Sequence, residues 1–456
     1  MFDPISALKE LVRFPSVSTD PAYAEGMAGA RQWLHAFLEE MGFATKEARS
    51  TRHPAIIAHR KVPGDAPHVV IYGHYDVQPP DPLELWHSDP FEAEQRGDRL
   101  YGRGAADNKG GLMVHLATVR RLLEERPDLP LNLTFLIEGE EEIGSPGLPL
   151  ILEAHADELK GDFILLSDTM SPDPDTLGVT VALRGIVTME VHVDGPSGDL
   201  HSGLFGGAVQ NPLQVLMQLC ASLHTADGRV NVPGFYDQVA GVQDWERAEI
   251  AKLGSDFEAL RASIGVPALA PTGDLTPQEI TRLMPTLEFN GIGGGYQGEG
   301  DKTIIPARAF AKISCRLVAD QDAETIFALV SQTLRERCPP TVRLTIKEGH
   351  HGPAYRVVPP GRPDTPPDQN PALARAFAAT EAASQAVFGK APLYLREGGS
   401  IPIIGQLREA LGTDALMVGV FTAADRHHAP NESLHLGLFD KGLAVSRAIL
   451  TSLADG

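Results

Sequence analysis

Apolar residues fall at helical spacing over 7–14 and 26–41, whereas His68-Val69-Val70-Ile71-Tyr72 is a short β-branched run of the kind that forms a buried strand. Residues 110–125 return to the helical period and stop at Arg126-Pro127, and 131–137 and 162–166 read as strands again. Strands separated by helices predict a largely parallel sheet, which collects functional residues at its strand ends. The rhythm changes at Arg184-Gly185. Residues 186–193 alternate Ile, Val, Met and Val with polar positions, the period of a sheet with one solvated face. A helix over 212–223 follows, then a long polar helical stretch over 237–262. Strands fit 286–289, 307–317 and 342–346, with a helix over 323–337. The proline-rich run 359–367 reads as a linker. Beyond it, a helix over 371–387, a further helix and a strand over 416–421 return to the first sheet. The predicted fold is α/β: a mostly parallel-sheet domain with helices on both faces, from 1–182 and 362–456, and an inserted α+β domain over 183–361.

Composition narrows the partners. A chain of 456 residues is long enough for two cores. Its net charge of -21 disfavours phosphate backbones and anionic membranes, so neither nucleic acid nor lipid is expected. Cys220, Cys315 and Cys338 have no metal-ribbon or disulfide spacing and are read as buried thiols of a reducing compartment. Met1 to Ile5 shows no basic region leading into an apolar run, so a cytoplasmic protein is expected.

Candidate chemistry clusters after the predicted strands. His74 and Asp76 lie two apart on an extended chain, on one side of it, which suits an imidazole ligand with a carboxylate on its other nitrogen. Gly102-Arg103-Gly104 leads to Asp107 just before a helix; an aspartate there also serves commonly as a helix cap. Glu138, Glu140, Glu141 and Glu142 follow a buried strand, where repelling carboxylates need cations. Asp168 ends another strand, and His427-His428 follow the last one. Each motif is modest alone; their shared position is the signal. Two glycine-rich runs lead elsewhere and are set aside. Gly293, Gly295 and Gly298 have dinucleotide-fingerprint spacing, but Thr303-Ile304-Ile305-Pro306 follows in place of a helix. In Gly300-Asp301-Lys302-Thr303 an aspartate would repel phosphate.

With these residues in view, the chain resembles the aminoacylase/carboxypeptidase superfamily of di-metal peptidases, most closely the carnosinase-like cytosolic dipeptidases. The resemblance rests on Gly73-His74-Tyr75-Asp76-Val77-Gln78-Pro79, Gly102 to Gly110, Glu141-Glu142-Ile143-Gly144-Ser145 and Ser167-Asp168. It continues through Asp199-Leu200-His201-Ser202-Gly203, Lys302 to Pro306, Arg316-Leu317-Val318, Arg396 to Pro402 and His428 to Glu432.

The resemblance implies two divalent metal ions per subunit, zinc with manganese as the alternative. One would be held by His74, Asp107 and Asp168, the other by Asp107, Glu142 and His428, with Asp107 shared and His427 the competitor for His428. Three carboxylates and a hydroxide balance the charge of two such ions. Glu141 would be the general base acting on a metal-bridging water, Asp76 would orient His74, and the Asp107-Asn108 peptide would be cis. The inserted domain would act as lid and homodimerisation domain. His201 would stabilise the oxyanion, reaching the partner subunit's site, and Arg316 would bind the substrate carboxylate. Thr303, Gly399 and Ser400 would bond the substrate's ends; Arg396 is structural, and His350 and His351 lie on the surface. The implied activity is hydrolysis of small peptides by a metallodipeptidase. The alternatives are an N-acyl amino acid deacylase or small carboxypeptidase of the same superfamily, and a non-catalytic binding protein on the same scaffold.

Overall fold

A computed structural model describes residues 2–254, 256–270, 273–399 and 401–456. Ser400, one of the candidate substrate-binding residues, lies outside the described residues. The chain divides into two compact units. The first comprises 1–181, 357–395 and 406–456; the second comprises 182–356 and 396–405, so 396–405 groups with the inserted segment, not with the flanking one.

The sheet of the first unit runs Ala44–Ala48, Ala55–Arg60, Asn132–Glu138, His68–His74, Phe163–Leu166, Ala415–Val418 and Gly178–Leu183. Its centre is parallel: His68–His74 pairs in parallel with Asn132–Glu138 and Phe163–Leu166, and Ala415–Val418 pairs in parallel with Phe163–Leu166. The flanking pairings are antiparallel, so the sheet is mixed with a parallel core. The central strands are buried almost end to end, which is why they read as continuous apolar runs. Helix Lys109–Glu125 packs against His68–His74 and against the C-terminal helix Leu436–Ala454. Two glycines let the start of the helix sit against neighbouring backbone. A Cβ on Gly110 would lie 2.0 Å from the Ala105 carbonyl oxygen, and one on Gly111 would lie 1.9 Å from that of Ser167. A small antiparallel sheet of Glu94–Arg96, Arg99–Tyr101 and Ser433–His435 joins distant parts of the chain.

The second unit is built on four antiparallel strands in the order Thr286–Gly294, Arg308–Leu317, Gly185–Asp194 and Arg343–Gly352. Alternate residues of Gly185–Asp194 and Arg308–Leu317 are buried. Val187, Val191, Ala311 and Ile313 meet helices Pro212–Ser222 and Ala323–Arg337 in one core. The expected long helix over 237–262 is instead two helices, Asp244–Ala251 and Phe257–Ile264. Gly254, at φ +83°, lies in the break between them. The last sheet strand ends at Val418 rather than 421; Phe421 forms only an isolated bridge to Met170. No helix of the described residues is long and apolar enough to cross a membrane. Cys220 and Cys315 are buried, with thiols pushed up by burial to about 11 and about 12; Cys338 is half-buried, short of the full burial expected.

Candidate metal centre

Three parallel strands deliver the first candidate ligands. His74 ends its strand fully buried, Glu138 ends the neighbouring strand ahead of a short 3-10 turn carrying Glu141 and Glu142, and Asp168 follows the Phe163–Leu166 strand. Asp107 enters from the loop before helix Lys109–Glu125, and its bond to Asn108 is cis. His428 lies on a loop in which Arg426, His428 and Asn431 all have left-handed backbones, at φ +56°, +60° and +62°. Such conformations are uncommon outside glycine, and here they shape the loop that presents His428.

Within this unit two groups of donors form: His74, Asp107 and Asp168, and Asp107, Glu142 and His428, each with ligand atoms within 4.8 Å of one another. Asp107 divides its oxygens between them. Its Oδ1 lies 3.2 Å from His74 Nε2 and its Oδ2 lies 2.9 Å from His428 Nε2. Glu142 Oε2 is 3.2 Å from His428 Nε2, and Asp168 Oδ1 is 3.8 Å from His74 Nε2. His427 belongs to neither group; its ring packs against Phe421 and His428.

Several features fit this donor set to divalent cations. His74 Nδ1 lies 3.0 Å from the Asp76 carbonyl, which can only accept, so Nδ1 carries a proton and Nε2 faces the carboxylates of Asp107 and Asp168. His74 Nε2 and Glu142 Oε1 are buried without hydrogen-bond partners. In the metal-free chain, burial and mutual repulsion push the carboxyls of Glu142 and Asp168 upward. Burial opposes a charged His74, yet Asp107, Asp168 and Asp76 outweigh it and raise its pKa well above the ordinary value. Hydrogen bonds to Asp107 and Glu142 raise His428 to about 10. The carboxylates thus demand positive charge at the imidazole Nε2 atoms, and cation binding would displace those protons. Mixed N/O donors without thiolate suit zinc or manganese.

The neighbours are as ordered as the ligands. The Asp76 carboxylate accepts the backbone N–H groups of Glu141 and Glu142 at 3.2 and 3.0 Å, and lies 3.3 Å from His74 Nδ1. Asp76 therefore grips the imidazole mainly through its carbonyl and spends its carboxylate on the Glu141-Glu142 turn. No described residue hydrogen-bonds the Glu141 carboxylate, which burial and the adjacent carboxylates push upward. Asn108 Nδ2 donates to Asp168 Oδ1 at 2.6 Å, and Gln78 Nε2 donates to Glu142 Oε2 at 2.8 Å. Glu432 accepts Arg103 Nη1 at 2.6 Å and the N–H groups of Gly104, Ala106 and Asp107, fixing the loop that presents Asp107.

The profile of Peptidase family M20/M25/M40 matches residues 70–452. The chain belongs to that family. Cys-Gly metallodipeptidase dug1 of Schizosaccharomyces pombe is 30% identical over 470 residues, covering 99% of this chain and 95% of that protein. The human Beta-Ala-His dipeptidase is 29% identical over 394 residues, covering 85% of this chain and 75% of that protein. Among solved structures, the M20 family metallo-carboxypeptidase Sso-CP2 from Sulfolobus solfataricus superposes with a TM-score of 0.86 at 30% identity over the whole of both chains. Human carnosine dipeptidase 1 superposes with a TM-score of 0.78 at 26% identity, over 99% of this chain and 96% of that one. The protein is an M20 metallopeptidase with a candidate di-metal centre.

The remaining candidate residues of this M20 peptidase lie on the second unit. His201 is exposed, and its Nδ1 accepts the Gly203 N–H at 3.0 Å, leaving Nε2 to carry the proton. Exposed Thr303 offers its carbonyl to the Ser202 N–H, and the Gly399 carbonyl accepts from Arg184 N. Arg316 is half-buried at the end of the Arg308–Leu317 strand. Arg396 pairs with buried Glu246 at 3.1 Å, a structural role. His350 is exposed and His351 half-buried. Asn108, Gln78, Arg103 and the role of Glu432 were not singled out from sequence. They lie within or beside the quoted motifs, but nothing in the spacing pairs Glu432 with a loop some three hundred residues earlier.

Proposed function

We propose that this M20 peptidase hydrolyses the peptide bond of unblocked dipeptides, with one divalent cation between His74, Asp107 and Asp168 and a second between Asp107, Glu142 and His428. The division of the two Asp107 oxygens between two histidines is the observation that carries this reading. When bound, such cations lower the pKa of water and polarise a carbonyl. Glu141, whose carboxylate is untied, takes a proton from the attacking water and passes it to the leaving amine, a role worth about 10²–10⁴-fold. Asp76 is a positioning residue: it fixes the tautomer of His74 through its carbonyl and the Glu141-Glu142 turn through its carboxylate. His201 donates Nε2–H to the oxyanion, acting on the partner subunit's site in a homodimer formed through the second unit. Arg316 forks onto the substrate carboxylate. Thr303, Gly399 and Ser400 bond its ends.

The dipeptidase names of the relatives support the substrate class. The likeness to a metallo-carboxypeptidase favours a second reading, removal of C-terminal residues from longer or blocked peptides. Turnover of free dipeptides, N-blocked dipeptides and tetrapeptides by the metal-loaded protein separates the two. Release of amino acids from free dipeptides alone is expected; turnover confined to blocked or longer peptides would select the carboxypeptidase. Mixed dimers of His201→Ala and Glu141→Gln chains should regain activity, and none would mean a site complete within one chain.

A further inference from the structure

A second polar hollow lies on the first unit. It encloses about 410 Å³ and is lined by His87, Arg96, Arg99, Tyr101, Arg426 and Ser433, among others. On a chain of net charge -21, three arginines line this one cavity, and of them Arg426 has no carboxylate partner among the described residues. Their commitments differ. Arg99 is held by buried Asp425 and by Ser433 Oγ, and forms a fixed wall. The guanidinium carbon of Arg96 lies over the Tyr101 ring, 3.8 Å from its centroid. Its Nε and Nη2 are buried with no hydrogen-bond partner, and its nearest carboxylate, Glu94, is 3.9 Å away. Neither the Arg426 guanidinium nor the His87 ring hydrogen-bonds a described residue. A guanidinium beside an aromatic ring with hydrogen-bonding capacity to spare suits an oxyanion, whose forked geometry it matches.

The backbone holds these groups in register. Arg96 and Arg99 flank the turn between the Glu94–Arg96 and Arg99–Tyr101 strands, and Ser433 begins the third strand of that sheet. The left-handed conformation of Arg426 ends the short 3-10 turn Ala423–Asp425. Asn431 Oδ1 accepts the His87 N–H at 2.9 Å, tying the His87 segment to the same loop.

We propose that this hollow is a binding site for a tetrahedral oxyanion, a phosphate or sulfate group, held between Arg96, Arg426 and His87 against the wall formed by Arg99. The site is separate from the metal ligands but shares the 426–433 loop with His428, so a bound oxyanion would brace the loop that carries that ligand.

Inorganic phosphate, titrated calorimetrically into the full-length protein both metal-loaded and metal-stripped, tests the assignment. Phosphate can also bind the metal pair directly, so the stripped protein isolates the hollow. One phosphate is expected to persist after metal removal, and Arg96→Gln and Arg426→Gln should each weaken it by roughly tenfold to a hundredfold. Arg96→Gln should leave phosphate-free dipeptide turnover unchanged, which shows that the variant is folded. Acetate should compete poorly. The proposal is overturned if the stripped protein binds no phosphate, if both folded variants bind it as the parent does, or if acetate binds as tightly as phosphate.

Discussion

Single side chains divide the labour of the centre in ways that separate experimentally. Glu141 belongs to neither donor group and is the proposed general base, so Glu141→Gln should keep its metal content while turnover falls by about 10²–10⁴-fold or more. Metal analysis beside steady-state kinetics checks this, and undiminished turnover would remove Glu141 from the mechanism. Gln78 donates to Glu142 and belongs to neither donor group, so Gln78→Ala should weaken metal binding in the Glu142 group by roughly 10–100-fold. His115 carries a pH dependence unrelated to catalysis. It is buried between Ser446 Oγ and Ser167 Oγ, each 3.0 Å away, and burial pushes its pKa down to about 3. The unfolded chain takes up that proton below about pH 6.5 whereas the folded chain resists until about pH 3, so stability falls as pH drops through this window. Between pH 7 and 5 the loss attributable to His115 is about 2 kcal/mol. Urea unfolding of the parent and His115→Gln chains in chelator, at both pH values, should show the parent losing that much more; equal losses would contradict it.

At the scale of elements, the loop before helix Lys109–Glu125 depends on a carboxylate from the far end of the chain. Arg103 and Glu432 are both fully buried, and Glu432 also takes three backbone N–H groups of that loop. Glu432→Gln leaves Arg103 buried without its counter-charge and should cost about 3–5 kcal/mol of stability, measured by denaturant unfolding. Gly111→Ala should also destabilise the protein, since its Cβ would overlap the Ser167 carbonyl oxygen beside Asp168. The central strands were legible because they are buried on both faces and read as apolar runs, and Gly185–Asp194 because it alternates. Edge strand Ala44–Ala48 was not, since Thr45, Lys46 and Glu47 give no apolar rhythm. The three-residue strands around Arg96, Arg99 and Ser433 are too short to show a period. Helix Leu436–Ala454 has an apolar face patterned well enough to be legible, though no expectation covered it. The donor residues were legible through strand-end position and family motifs. The pairing of Asn108 with Asp168 and of Glu432 with the 103–107 loop was not, because such pairs exist only after folding.

For the whole molecule, all five proposed ligands lie in the first unit, so metal binding is linked to the folding of that unit. Each cation at a hundred times its dissociation constant would stabilise it by about 2.7 kcal/mol. Hydrogen exchange should therefore rise on chelation around 104–109, 138–145 and 426–432, and stay unchanged in Gly185–Asp194 and Arg308–Leu317. The most direct test of the di-metal reading is the number of metal equivalents bound per chain, measured by elemental analysis, in the parent and in Asp107→Ala. Two equivalents in the parent and the loss of both from a folded variant are predicted, because both donor groups need that carboxylate. A folded Asp107→Ala chain that still carries two equivalents would contradict the shared-carboxylate centre.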